Sequence, residues 1–217
     1  MAYGFSPGVS GCVADGRLII LDVAADRYRM LPPAAETAIL RHFHGDGLQC
    51  GDERALARLL ANGILQVQPD GVGGQLCGHA LPELSFFDDP WRTPGAVAVA
   101  RAALSVVRAM ADLRLRGLAR TLEAFPRSNS SPAAALSCSQ RHAAAFAELR
   151  LIMRTLDRCL PLSIALARTA RRSDGDIRLV IGVKLDPFGA HAWVQRGNVV
   201  LNDRLDAVVP FTPILVR

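Results

Sequence analysis

The chain has 217 residues, half of them apolar and about a fifth charged, which excludes a disordered chain and calls for a packed core. A formal charge of +5 is mildly basic; it fits an acidic peptide, a nucleotide or a nucleic acid as partner, and equally a protein that is merely basic. Five scattered cysteines (Cys12, Cys50, Cys77, Cys138, Cys159) without a CxxC pair argue against a disulfide framework or a zinc site.

The first residues lack the basic and apolar regions of a signal peptide. The longest apolar run, 95–110, is interrupted by Arg101 and Arg108 and falls short of a membrane span. The expectation is a cytoplasmic protein with no membrane partner and no metal.

Residues 9–14, 17–23 and 26–31 read as strands. Asp15-Gly16 suits a tight turn between the first two. The third alternates polar and apolar residues, as an edge strand does. Pro33 fits the first turn of a helix over 34–44, ended by Gly45-Asp46-Gly47. His42 and His44 near Cys50 therefore read as a helix end rather than metal ligands. A second helix is expected over 52–61, with Leu56, Leu59 and Leu60 inward, and a short strand over 64–67.

Residues 68–95 hold four prolines and several glycines, the best domain boundary in the chain. The expected division is a domain over 1–67, a linker over 68–95 and a second domain over 96–217. The second domain opens with helical periodicity over 96–125, which Gly117 can split. A serine-rich loop follows over 126–132, then a helix over 133–156 and another from about Cys159 to residue 170. Strands are expected over 179–183, 190–195 and 199–201.

The residues that point to chemistry are Cys159, His191 and Asp203. A thiol is mostly protonated at neutral pH, and a helix N-terminus favours its anion. A neighbouring imidazole can take its proton and later protonate a leaving amine. A carboxylate then fixes the imidazole. Each residue has an ordinary alternative: buried apolar cysteine, structural histidine, turn aspartate. Geometry adds a requirement. A three-residue hairpin loop, Arg196-Gly197-Asn198, or an equivalent bulge, would oppose His191 and Asp203 on one sheet face, whereas a two-residue loop would not. The Cys159 backbone N–H is the expected oxyanion donor.

Cys159-Leu160-Pro161, the helix through Ser163-Ile164-Ala165-Leu166-Ala167, the strand Leu179-Val180-Ile181-Gly182-Val183, Asp186-Pro187-Phe188 and Ala190-His191-Ala192-Trp193-Val194 resemble the lasso peptide B proteins over about 96–217. The resemblance implies an α+β fold of the papain/transglutaminase type and a Cys159/His191/Asp203 triad. It also implies leader-peptide cleavage from a ribosomally made lasso precursor. A separate ATP-using, asparagine-synthetase-like lasso cyclase then joins the core. Trp193, beside the histidine, either covers the site and touches substrate or fills the core. Relatives often carry an arginine where this chain has Leu162.

Residues 1–67 resemble the leader-binding module of such proteins, a small winged-helix-like domain similar to the PqqD-like chaperones of PQQ biosynthesis. The resemblance implies that the leader adds as a strand at 26–31 and packs against the helix at 53–61. Asp26, Tyr28, Met30, Leu56 and Leu60 are its expected contacts. The resemblance extends to some ATP-dependent relatives, but neither GxxxxGK nor GxGxxG occurs, so no cofactor is evident. The alternatives are a transglutaminase-type acyl transferase and a non-catalytic precursor-binding scaffold. A DNA-binding reading is poor because Asp52 and Glu53 offset Arg54 and Arg58 on the second helix.

Overall fold

A computed structural model describes residues 2–68, 75–88, 90, 93–125, 136–152, 158–172 and 176–217, with side chains for all of these except 136–139 and 151–152. The expected loop over 126–132 lies outside the described residues. The chain divides into two units, Met1–Gly78 and His79–Arg217.

The first unit is a small mixed structure. Strands β1 (Ala2–Phe5) and β5 (Leu65–Gln68) pair antiparallel, and β2 (Val9–Ala14), β3 (Arg17–Asp22) and β4 (Arg27–Met30) form a meander. Asp15 and Gly16 both have positive φ (49° and 75°), the geometry a two-residue hairpin demands. Helices α1 (Pro33–His44) and α2 (Asp52–Ala61) cover the core through Ala38, Ile39, Leu56 and Leu59, against Leu18, Ile20 and Leu65. Arg41 and Asp52, 2.6 Å apart, tie the two helices. His42 Nε2 accepts the Tyr3 N–H at 2.9 Å, which occupies that nitrogen structurally.

The backbone directions in the meander follow from three bonds. The Val23 N–H reaches Gly8 on the β2 side, so residues 20 and 22 face β4 and pair with Arg29 and Arg27. The Leu18 N–H, past the end of β4, is taken by the buried Glu36 carboxylate at 2.7 Å. On the outer side of β2 the Gly11 carbonyl accepts the Cys77 N–H at 2.8 Å. β4 is thus an outer strand, and the backbones of Tyr28 and Met30 point away from β3.

The second unit is built on a five-stranded sheet. Its order is β10 (Thr212–Val216), β7 (Ile177–Lys184), β8 (Gly189–Arg196), β9 (Val199–Val200), β6 (Leu84–Ser85). Helices α3 (Ala96–Glu123), α4 (Leu136–Ile152), α5 (Cys159–Ala170) and the short α6 (Leu205–Val208) complete it. α5 is apolar nearly all round and buried from Pro161 to Ala167, as its sequence requires. It packs against α3, α4, β7 and β8. Arg168 fastens it to α3 through Asp112 at 2.7 Å and the Thr121 carbonyl at 2.8 Å. Gly117 interrupts α3 with φ 74° and ψ 174°, a conformation open to glycine.

Three sequence expectations need correction. The stretch 68–95 is not all linker: Leu84 and Ser85 pair parallel with Val199 and Val200, a contact 115 residues away in sequence that no local pattern announces. The β8–β9 hairpin has a two-residue loop, Gly197-Asn198, because Arg196 pairs with Val199 and Gln195 with Val200. And β1, β6, α6 and β10 have no counterpart among the expected elements, being short or dependent on distant partners.

Candidate active site

α5 starts at Cys159, so the thiol stands where N–H groups lack intrahelical partners. The imidazole of His191 comes from the beginning of β8, on the sheet face that also carries Trp193 and Gln195. His191 Nε2 lies 2.7 Å from Asp203 Oδ2, which leaves Nδ1 for its hydrogen bond with the Cys159 thiol. The structure therefore brings the three sequence-predicted residues together, but by a different route from the expected hairpin register. β9 ends at Val200, and a bend over 201–203 swings Asp203 back toward His191.

The electrostatics favour a thiolate–imidazolium pair. Burial opposes ionisation of Cys159, yet the thiol is held below its ordinary range. The hydrogen bond and charge of His191, with the Ala192 and Leu160 backbone groups, outweigh burial. Burial likewise opposes the charged imidazole, but hydrogen bonds to Asp203 and Cys159 and their negative charges raise His191 to about 9. Asp203 is nearly buried; burial would raise its pKa, but His191, Arg150 and the Arg204 N–H lower it. Cys12 shows the contrast: burial, with Cys77 adding to it, pushes that thiol up to about 12, the behaviour of an inert core cysteine.

A polar network ties the three supporting elements together. Ser163, one turn beyond Cys159 and fully buried, donates to the Ala192 carbonyl at 2.8 Å and accepts from Asn202 Nδ2 at 2.8 Å. Asn202 Oδ1 in turn accepts the Val194 N–H at 2.7 Å. Ser85 donates to the Asp203 carbonyl at 2.8 Å. None of Ser85, Arg150, Ser163 or Asn202 stood out in the sequence. The adjacency of Asn202 to Asp203 was the one available hint, since arginines and serines on helices are too common to signal anything.

Trp193 is a correction. It is 0 % exposed, its indole N–H donates to Gln195 Oε1 at 3.1 Å, and so it presents no surface to a substrate. It stands beside the imidazole with ring centroids 6.3 Å apart, and Phe211 flanks the same imidazole at 5.3 Å. Gly182 permits this packing, because a Cβ there would lie 2.7 Å from the Trp193 ring and 3.0 Å from Phe211. Leu56 is a second correction: at 1 % exposure it belongs to the first unit's core and is closed to a peptide side chain. Leu60 is half-buried against that core. Asp26 sits exposed in the turn before β4 with φ 50°, Tyr28 is half-buried, and Met30 is 54 % exposed.

A helix-borne thiol, a strand-borne imidazole and a carboxylate on an α+β scaffold are the arrangement of a transglutaminase-like domain. In agreement, residues 100–216 match the transglutaminase-like superfamily, and the chain belongs to it. More particularly, a 45-residue stretch is 47 % identical to the microcin J25-processing protein McjB of Escherichia coli. That match spans 21 % of this chain and 22 % of McjB, about a fifth of each. No solved structure matches the chain.

Proposed function

We propose that this protein is the leader peptidase of a lasso peptide pathway, cleaving a ribosomally made precursor between leader and core. The observation that carries the reading is the Cys159–His191–Asp203 arrangement in a chain similar to a microcin-processing protein. Cys159 Sγ attacks the scissile carbonyl carbon, and His191 gives its proton to the departing core nitrogen as the C–N bond breaks. Water, deprotonated by His191, then hydrolyses the leader thioester and restores the thiol. The freed core amine is the nucleophile that a separate ATP-using cyclase needs. The first unit, in this reading a PqqD-like module, receives the leader as an added strand along β4, with Met30 offering exposed apolar surface.

The transglutaminase-like family supports a second reading, in which an amine rather than water resolves the same acyl-enzyme. One experiment separates them: incubation with precursor and cyclase, followed by mass spectrometry. Released leader with a free carboxylate supports the peptidase, and leader joined to an added amine supports acyl transfer. Cleavage undiminished by Cys159→Ala would refute the nucleophile assignment.

A further inference from the structure

Asp203 divides its two carboxylate oxygens between different partners. Oδ2 faces His191, while Oδ1 takes Arg150 Nη1 at 2.5 Å and the Arg204 N–H at 2.8 Å. Arg150 Nη1 also donates to the Asn202 carbonyl at 2.8 Å. The arginine comes from α4, some fifty positions earlier, and grips two successive residues of the bend that follows β9. The last ladder bond joins the Leu201 N–H to the Val194 carbonyl at 2.8 Å, and among the described residues none follows at 202 or 203. Side-chain contacts, not sheet register, hold the carboxylate in place.

We propose that Arg150 is a positioning residue of the active site: it clamps the 202–203 bend so that Asp203 presents Oδ2 to His191, and its charge balances the carboxylate. This rests on the thiol-enzyme reading of the site, though not on the leader peptide being its substrate. With Arg150 present, thiolate, imidazolium, carboxylate and guanidinium sum to zero. Without it the cluster is one charge more negative, which disfavours the thiolate and favours the imidazolium.

The other charges around the site are accounted for separately. The Arg204 side chain turns to Asp206 at 3.5 Å, Lys184 lies 5.2 Å from the centroid of the Phe211 ring, and Asp88 accepts the Ser85 N–H at 2.8 Å. Among the described residues, none of these side chains shares a hydrogen bond or ion pair with Arg150. At 42 % side-chain exposure, Arg150 can be replaced without opening the core.

The test is the pH dependence of Cys159 alkylation by iodoacetamide, read by mass spectrometry on the Cys159 peptide, with kcat measured alongside. In Arg150→Ala the onset of thiolate reactivity should move up by about half a pH unit, roughly threefold less thiolate on the acid side. The same variant should lose about tenfold in kcat. Arg150→Lys keeps the charge, so its onset should stay with the wild type while part of kcat is lost through the poorer clamp. Circular dichroism verifies that both variants fold, and the lysine variant serves should the alanine variant not. An unmoved onset in Arg150→Ala, or equal shifts in both variants, overturns the proposal. An ordinary thiol onset in the wild type would instead overturn the thiol-enzyme reading, and Arg150's role with it.

Discussion

His191 and Asp203 meet at 2.7 Å even though the β8–β9 register, continued, would set Asp203 opposite Ala192 and on the other sheet face. The strand ends two residues beyond the loop, and the bend over 201–203 undoes the mismatch. Arg150, Ser85 and the Arg204 N–H hold the result. The approach of the imidazole to the carboxylate thus depends on a break in the sheet.

The pH profile of kcat/KM follows from the paired shifts. The thiol ionises below its ordinary range, so the acid limb lies lower than for a free cysteine. In the proposed mechanism the imidazolium protonates the leaving amine; it is lost at about 9, so activity should fall above that pH. The raised His191 value also means that its contribution to stability is full below about 6.5 and disappears as pH rises through about 9. A rate that keeps climbing past pH 10 would contradict the ion pair.

Asp203→Asn keeps the side chain's shape and removes its charge. Steady-state kinetics should show kcat lowered by roughly 10²–10⁴-fold with little change in KM. The alkaline limb should move down from about 9, because the carboxylate that stabilises the imidazolium is gone. An alkaline limb left in place would show that Asp203 is not the group holding the histidine.

Ser163→Ala removes a buried hydroxyl that serves two partners, the Ala192 carbonyl and the Asn202 amide. Leaving such groups unsatisfied costs about 1–3 kcal/mol each. The unfolding transition of the second unit should fall by several degrees, at roughly 2–4 °C per kcal/mol for a chain of this length. An unchanged melting temperature would mean that the network does not hold α5 to β8.

Met30→Pro probes leader binding. Its N–H points away from β3, so proline there spares the Arg29–Ile20 pairing while denying an added strand one bond. Affinity for leader peptide, followed by fluorescence anisotropy, should weaken about tenfold with the fold retained. Arg29→Pro should also lose binding, but by breaking β4 from β3. Equal affinity of wild type and Met30→Pro would rule out strand addition at this edge.

Local chemistry was enough to find much of this protein. Asp15-Gly16, Pro33, Gly117 and the apolar run after Cys159 act through backbone preference and burial over a few residues, so they can be read in order along the chain. The order of cysteine, histidine and aspartate named a candidate site in the same way. Tertiary structure decided the rest. Ser85 reaches Asp203 across 118 positions, and Arg150 reaches Asn202 across 52. Leu56 and Trp193, apolar side chains suited equally to a groove or a core, went to the core. The register that pairs Arg196 with Val199, and so the two-residue loop, was likewise visible only in the folded sheet. These outcomes depend on packing and hydrogen bonds between distant segments, whose energies no local pattern of residues records.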